Sequence, residues 1–263
     1  MKKLATALVS AAAIMTMSTT AFAAENPAEV FDRVMEKNNT IQSAEIQSGV
    51  HSVILAKDVI PDGQMKVDMA MHAEMDMQDT TDLKYLAQVA SSILGQDSYS
   101  QVFYTDGYYY VDANGVKLKY PMPLEQIISS VQTGVNTSNM ESSYMKGISL
   151  NEVNGKRVLA YEANPKKLNK NVKEALGTVM NTLGTDVNLD MNIQEMKGAY
   201  VLDDNDYIIY MTNYIVYNME VLDQPMTCIT LMETEVQNPG EPVVVTLPST
   251  DGYEDLMVYM MES

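Results

Sequence analysis

The stretch Met65–Met77, MKVDMAMHAEMDM, decides the fold predicted for this chain. Its odd-numbered positions are all apolar, with five methionines, one valine and one alanine, while lysine, histidine and the acidic residues occupy even-numbered positions. Alternation with period two is typical of a β-strand that has one dry face and one wet face. A strand of thirteen residues is unusually long and needs a large apolar partner. We interpret it as one wall of a cavity for a hydrophobic ligand.

Residues 1–24 have the features of a bacterial secretory signal peptide. Lys2 and Lys3 precede a short apolar run, which ends before the small-residue site Ala21-Phe22-Ala23. The predicted mature protein is therefore a single domain, residues 25–263, exported to the medium, the cell-wall space or a periplasm. No cysteine stands directly after the apolar run, so we expect no lipid anchor. The run is too short for a membrane span, and we expect no transmembrane segment in the mature chain.

The charge of the chain excludes some partners. The formal net charge is −18, and removal of Lys2 and Lys3 with the leader makes it −20. Long-range repulsion at such a surface disfavours nucleic acid and anionic membranes. Cys228 is the only cysteine, so no internal disulfide is available and the apolar core must hold the mature chain together.

Turn and cap signals divide the first half of the chain. Asn26-Pro27 predicts the start of a helix, and the Met-rich strand pairs with Ser43–Lys57 across a turn at Pro61-Asp62-Gly63. Apolar residues at helical spacing predict a second helix over Thr81–Leu94. Asp106-Gly107 and Asn114-Gly115 predict two tight hairpin turns in a tyrosine-rich meander. A short helix is predicted around Leu124, Ile127, Ile128 and Val131.

The second half repeats the order of strands, helix and strands. Asn154-Gly155 predicts a hairpin, and Asn164-Pro165 starts a predicted helix that reaches Leu183. The apolar positions change parity between Gln194 and Gly198, which predicts a β-bulge there. Long strands follow, with a last strand at Val243–Leu247 and a short helix over Tyr253–Met261. The predicted fold class is α+β, a strongly curved antiparallel sheet with helices on its concave side.

These features resemble a known family. The N-terminal helix, the Met-rich strand, the meander TDGYYYVDANGVKLKY and the helix started by Asn-Pro are similar to those of exported bacterial proteins of the LolA-like superfamily. That superfamily includes the periplasmic lipoprotein carrier and the LppX-like glycolipid-binding lipoproteins. The resemblance implies an open half β-barrel, with helices plugging its concave side and a cavity for acyl chains.

The register of the first hairpin makes a specific prediction. A turn centred on Pro61-Asp62 pairs positions whose numbers sum to 123, which places His51 opposite His72. Only an odd sum brings both apolar sets onto one face. The two histidines would then meet on the wet face and suggest a metal or pH-sensitive site, although a simple surface pair is the more economical explanation.

Catalysis and metal binding receive little support from the residues. Two histidines and one cysteine leave almost no nucleophile–base set, and no phosphate loop is present, so we predict no enzyme and no cofactor. The methionines around His72 are ligands that Cu(I) selects, but same-face neighbours on one strand are too far apart for one ion. Asp203–Asp206 lacks the glycine and distal glutamate of a calcium loop. The lysines between Lys166 and Lys173 are consistent with a solvated helix face.

We therefore predict a non-catalytic carrier or sensor for a lipid or another hydrophobic small molecule, with an envelope protein as a further candidate partner. The alternative is a protein-interaction or regulatory module of the same fold, whose apolar interior is only a core. The residues predicted to line the ligand site are Val50, Ile54, Met65, Val67, Met69, Met71, Met75, Met77, Leu86, Val102, Val111, Leu118, Leu124, Ile127, Val131 and Met211.

Overall fold

The computed structural model describes residues 25–56, 60–79, 83–123, 140–170, 191–221 and 224–262, so the predicted leader lies outside the described residues. Helix α1 (Pro27–Asn38) starts where its cap signal predicts. The Asn26 side chain accepts a hydrogen bond from Ala28 N–H at 3.1 Å and donates one to Glu29 Oε1 at 3.1 Å. Pro27 lacks an N–H at a position where the helix has no acceptor for it, which fixes this start.

The first hairpin consists of β1 (Ser43–Leu55) and β2 (Gln64–Asp76), which confirms the Met-rich strand. Ala56 N–H donates to the Gly63 carbonyl at 3.0 Å, and Met77 N–H donates to the Gln42 carbonyl at 2.7 Å. The residue numbers of both pairs sum to 119, so the predicted sum of 123 is wrong. The sum is odd, as predicted, so the apolar residues of the two strands still share one face. His72 consequently lies opposite Gln47 and not opposite His51, because the connection between the strands is centred two residues earlier than Pro61-Asp62.

Four strands form the meander: β3 (Lys84–Ile93), β4 (Gln96–Thr105), β5 (Tyr108–Ala113) and β6 (Val116–Pro121). The turns at Asp106-Gly107 and Asn114-Gly115 have positive φ at both residues, as two-residue hairpins of this type require. The predicted helix over Thr81–Leu94 is wrong, since β3 occupies most of this range. Leu86 and Ala87 are both buried on opposite faces of β3, so the strand lacks the alternation that would have identified it.

The next strands are β7 (Met145–Val153), β8 (Lys156–Ala163), β9 (Asn192–Leu202), β10 (Ile208–Val221) and β11 (Gln224–Gln237). The Asn154-Gly155 hairpin turn is confirmed, and residues 165–170 are helical after Asn164, as predicted. Val216 pairs with Glu195 but Tyr217 pairs with Ile193, so Gln194 is an extra residue on β9. The predicted β-bulge is therefore confirmed.

The C-terminal segment differs from its prediction in one element. Residues 243–247 are not a strand, because they form no ladder; Val245 instead packs its buried side chain into a core. Strand β12 (Glu254–Asp255) pairs in parallel with β6. Helix α2 (Leu256–Glu262) follows, beginning three residues later than the predicted helix.

Hydrogen-bonded neighbours give the strand order β12-β6-β5-β4-β3-β2-β1-β11-β10-β9-β8-β7 within the described residues. A largely antiparallel sheet of twelve strands is thus confirmed there, with β12 as a parallel addition. The helices expected on a concave side remain a prediction, because residues 124–139 and 171–190 lie outside the described residues. The single-domain boundary 25–263 also remains a prediction.

The chain groups into two compact units, and β1, β2 and β11 contribute residues to both. Unit 1 comprises Met1–Val34, Val50–Val67 and Met140–Glu233, and unit 2 comprises Met35–Gly49, Asp68–Asn139 and Thr234–Ser263. In unit 1, Phe31 of α1 is fully buried, with its ring centroid 5.7 Å from that of Tyr161 and 6.1 Å from that of Tyr200. These aromatic contacts anchor α1 to strands β8 and β9.

Candidate functional site: an apolar face of unit 2

The Met-rich face of β2 is buried at one end only. Met75 is 1 % exposed and Met77 is 4 % exposed, whereas Met71 is half-buried and Met69 is 40 % exposed. The predicted dry face is therefore closed near the C-terminal end of β2 and becomes more accessible towards Met69. Methionine suits a surface of this kind, because its flexible thioether adapts to irregular or exchangeable apolar partners.

A second apolar surface runs across β3, β4, β5 and β6, and we call it the valine–tyrosine face. One row joins Ala87, Val102, Val111 and Leu118 through successive strand pairs. The next row, one step along each strand on the same face, joins Tyr85, Tyr104, Tyr109 and Tyr120. Apart from the buried Ala87 and Tyr104, these side chains are half-buried. The register therefore makes three of the predicted ligand residues, Val102, Val111 and Leu118, cross-strand neighbours on one face.

The opposite face of the same strands is already covered by the chain itself. Leu86, Phe103 and Tyr110 form a buried cluster there with Val245 and Tyr253 of the C-terminal segment. The Phe103 and Tyr110 rings stack at 4.6 Å, and Tyr253 meets both rings edge-on. Leu86 thus belongs to a core on the other side of the sheet from Val102. The predicted ligand set therefore combines residues from both faces of this part of the sheet.

The C-terminal segment also relates β2 to the valine–tyrosine face. Thr246 N–H donates to Glu74 Oε2 at 3.4 Å, and Glu74 is on the even-numbered face of β2. Because the neighbouring Val245 belongs to the same buried cluster as Leu86, the even-numbered faces of β2 and β3 lie on the same side of the sheet. The odd-numbered face of β2, with Met71 and Met75, therefore lies on the same side as Val102 and Val111.

Three phenols of the valine–tyrosine face have a raised pKa. Burial, with smaller contributions from Tyr85 and Tyr120, raises the pKa of Tyr109 to about 12. Burial also raises the pKa of Tyr85 and the pKa of Tyr120 above the ordinary value for tyrosine. The Tyr104 hydroxyl donates to the Met122 carbonyl at 3.2 Å. The face thus combines apolar area with neutral hydroxyls, a composition that suits an acyl chain with a polar end.

The tyrosine row was missed as part of the site, although the sequence contains its signal. A two-residue turn at Asp106-Gly107 pairs Tyr104 with Tyr109, and the turn at Asn114-Gly115 pairs Tyr109 with Tyr120. Both turns were predicted correctly. Counting residues outward from each turn would have placed these tyrosines on one face, beside Val102 and Val111.

The remaining predicted ligand residues fall into two groups. Val50, Ile54, Met65, Val67 and Met211 are half-buried residues of unit 1, where Met211 pairs with Tyr200. Leu124, Ile127 and Val131 lie outside the described residues. The structure therefore brings together the part of the predicted set that belongs to unit 2, without Leu86.

Polar clusters elsewhere have structural explanations. His72 Nε2 lies 3.2 Å from Glu45 Oε1 and 3.8 Å from Glu74 Oε1. In the Asp203–Asp206 turn, Asp203 Oδ1 accepts from the N–H groups of Asn205 and Tyr207, each at 2.8 Å. Across the ranges that the structure describes, no three His, Cys, Asp or Glu side chains form a group that could hold a metal ion.

Asp206 joins the only two arginines of the chain. Arg33 Nε lies 2.9 Å from Asp206 Oδ2, and Arg157 bonds the other carboxylate oxygen. Burial alone would raise the pKa of Asp206, but the hydrogen bonds and charges of both arginines outweigh it, so the pKa lies below its ordinary value. These two ion pairs link α1 and β8 to the turn before β10 and contribute to the stability of unit 1.

The chain belongs to the protein family described as DUF6612, a family of unknown function, whose model matches residues 26–248. No curated protein matches the chain. Among solved structures, LprF from Mycobacterium bovis is similar at 10 % identity and a TM-score of 0.36, covering 85 % of this chain and 97 % of LprF. A β-barrel-like DUF1849 protein from Brucella abortus is similar at 11 % identity and a TM-score of 0.25, covering 76 % of this chain and 100 % of that protein. Likeness at these TM-scores does not establish a shared fold.

In the part of the chain that the structure describes, no helix is both long and apolar enough to cross a membrane.

Proposed function

We propose that this protein is an exported, non-catalytic binder of a lipid or another hydrophobic small molecule, acting as a carrier or sensor. The observation that carries the proposal is the asymmetry of the meander in unit 2. One face is sealed by the protein's own residues, Val245 and Tyr253. The other face presents half-buried valine, leucine and tyrosine side chains on the same side as the Met-rich face of β2.

The chemistry of the valine–tyrosine face favours an amphiphile. Full removal of a valine or leucine side chain from water contributes about 1.5–3 kcal/mol. Val102, Val111 and Leu118 are only half-buried, so a ligand that covers them would gain several kcal/mol of binding free energy. The neutral tyrosine hydroxyls offer hydrogen bonds to a polar group without the cost of burying a charge. An acyl chain with an uncharged or zwitterionic end fits both properties.

A fluorescent fatty-acid probe tests the proposal. The protein without its leader should bind the probe, and a phospholipid or related amphiphile should displace it. Val102→Thr with Val111→Thr adds two hydroxyls at nearly constant shape and should weaken binding about tenfold or more, because each buried hydroxyl without a partner costs about 1–3 kcal/mol. Val244→Thr is the matched control, since Val244 is 89 % exposed and should leave binding unchanged.

The alternative is a protein-interaction or regulatory module whose apolar interior is only a core. One observation favours it: helix α2 exposes a run of apolar side chains, at Met257, Val258, Tyr259, Met260 and Met261. Extraction of the purified protein with organic solvent, followed by mass spectrometry, separates the two functions. A co-purified lipid supports the carrier, whereas absence of both extracted lipid and probe binding supports the interaction module.

A further inference from the structure

Two buried polar side chains and the half-buried Tyr210 form a cluster in unit 1 on strands β10 and β11. Thr212 is 1 % exposed and Glu233 is 4 % exposed. Tyr210 is on the same face of β10 as Thr212, two residues away, and its hydroxyl donates to Glu233 Oε1 at 2.7 Å. The cluster therefore lies on the opposite face of β10 from Met211.

The register of the β10–β11 hairpin places Thr212 beside Glu233. The Asn218 and Thr227 side chains are hydrogen-bonded at 2.9 Å, and the facing strand ends are Val221 and Gln224. Both pairs sum to 445, which puts Thr212 opposite Glu233. Directly opposite Cβ atoms in an antiparallel pair are about 4.5–5.5 Å apart, so the two side chains border one small site.

Two oxygen atoms in this site have no hydrogen-bond partner among the residues that the structure describes. Within the described residues, Thr212 Oγ1 and Glu233 Oε2 are buried and accept or donate no hydrogen bond. Glu233 also has no lysine, arginine or histidine nitrogen within ion-pair distance in that part of the chain. Lys197, on the same face opposite Tyr214, is held by Glu195 at 2.9 Å and by the Tyr214 ring.

A buried carboxylate without a counter-charge is costly, and a buried hydroxyl without a partner adds to that cost. On β9 the residue opposite Thr212 is the buried Ala199, whose side chain offers neither oxygen a hydrogen bond. A ligand that satisfies both oxygens must be small, positively charged and able to accept oxygen ligands. One carboxylate balances a single positive charge, so a monovalent ion fits and a divalent ion is left under-neutralised.

We propose that Glu233 Oε2 and Thr212 Oγ1 bind a monovalent alkali cation, and that the Tyr210 hydroxyl positions the carboxylate by holding Oε1. This site lies in unit 1, whereas the hydrophobic-ligand face lies in unit 2. Bound cation stabilises unit 1 by mass action, because the unfolded chain cannot assemble the two oxygens.

The test is thermal unfolding of the protein without its leader, in sodium chloride and in choline chloride at equal ionic strength. Equal ionic strength keeps general screening of the acidic surface constant. The wild-type protein should melt about 2–6 °C higher at saturating sodium than in choline. The line width of the ²³Na resonance should broaden when the protein is added.

Variants identify the site. Thr212→Val and Glu233→Gln should each abolish the sodium-dependent rise, whereas Thr212→Ser should retain it because the hydroxyl remains. Glu235→Gln is the control: Glu235 is exposed on the same strand and bonds Gln237, so its loss removes the same charge and should leave the sodium effect intact. Equal melting in both salts, or an equal sodium effect in Thr212→Val and wild type, overturns the proposal.

Discussion

Replacement of Gly198 by alanine should destabilise unit 1 strongly. Gly198 lies on β9 opposite Asn213 of β10 and Tyr161 of β8. A Cβ atom at this position would lie 2.5 Å from Asn213 Oδ1, 2.5 Å from the Thr212 carbonyl oxygen and 2.7 Å from the Tyr161 hydroxyl. The carbonyl belongs to the backbone of the neighbouring strand, so side-chain rotation alone cannot relieve the contact.

The magnitude follows from two effects. Overpacking by one methyl group in a closed site costs about 1–3 kcal/mol. The same methyl group displaces the buried hydrogen bond between the Tyr161 hydroxyl and Asn213 Oδ1, and loss of a buried bond costs about 1–3 kcal/mol. Gly198→Ala should therefore lower the free energy of unfolding by about 2–6 kcal/mol.

Urea unfolding measures the effect, with Gly147→Ala as the matched control. Gly147 is in strand β7 of the same unit, and no atom lies within 4 Å of a Cβ built there. Gly147→Ala should be neutral or should stabilise by about 0.4–1 kcal/mol, since alanine restricts the unfolded chain. A Gly198→Ala protein within about 0.5 kcal/mol of wild type would refute the register that places Gly198 opposite Asn213.

Three further predictions concern other parts of the chain. Met75→Ala should cost about 2–5 kcal/mol in urea unfolding, because Met75 is 1 % exposed, whereas Met69→Ala should change stability by less than about 0.5 kcal/mol, because Met69 is 40 % exposed. Asp206→Asn should cost about 1–2 kcal/mol near neutral pH. Since the pKa of Asp206 is lowered in the folded protein, the difference in the free energy of unfolding between wild type and Asp206→Asn should vanish as the pH falls below about 4. Burial raises the pKa of Tyr109 to about 12 in the folded protein, so the phenol of the unfolded chain ionises first as the pH rises. The stability that the neutral phenol contributes should therefore be lost between about pH 10 and pH 12, and Tyr109→Phe should not show this loss.

Each of these predictions has an opposing outcome. Equal losses for the two methionine variants would mean that the exposure gradient along β2 is wrong. An Asp206→Asn difference that persists unchanged at acid pH would show that the carboxylate charge is not what stabilises unit 1. Identical alkaline unfolding curves for wild type and Tyr109→Phe would place Tyr109 in water.

Local turn and cap chemistry made much of the fold predictable. Asn26, Asn154-Gly155 and Asp106-Gly107 each specify one backbone conformation through their own side chains or their tolerance of positive φ. The same chemistry was absent at Leu94-Gly95, where a leucine adopts φ 54° in a tight turn. Leu94 does not mark a two-residue turn, and Gly95 also fits the end of a helix, so the preceding strand was assigned to a helix.

The site was only partly predictable, because face assignment requires a correct strand. β3 buries Leu86 on one face and Ala87 on the other, which removes the period-two signal and mimics helical spacing. Leu86 was consequently grouped with Val102 and Val111, although only those two, on strands joined by a recognisable turn, share one face. The extended segment 243–247 has the composition of a strand, and only tertiary packing decides that it covers Leu86 without forming a ladder.

Photo-cross-linking with a diazirine-labelled fatty acid, mapped to single residues by mass spectrometry, tests hydrophobic-ligand binding by the valine–tyrosine face most directly. Labels should concentrate on Val102, Val111 and Leu118 and should decrease when unlabelled amphiphile competes. Phe103 and Tyr110 should remain unlabelled, because the protein's own Tyr253 covers them. Labels confined to helix α2, or an absence of competed labels on the valine–tyrosine face, would contradict a ligand site there.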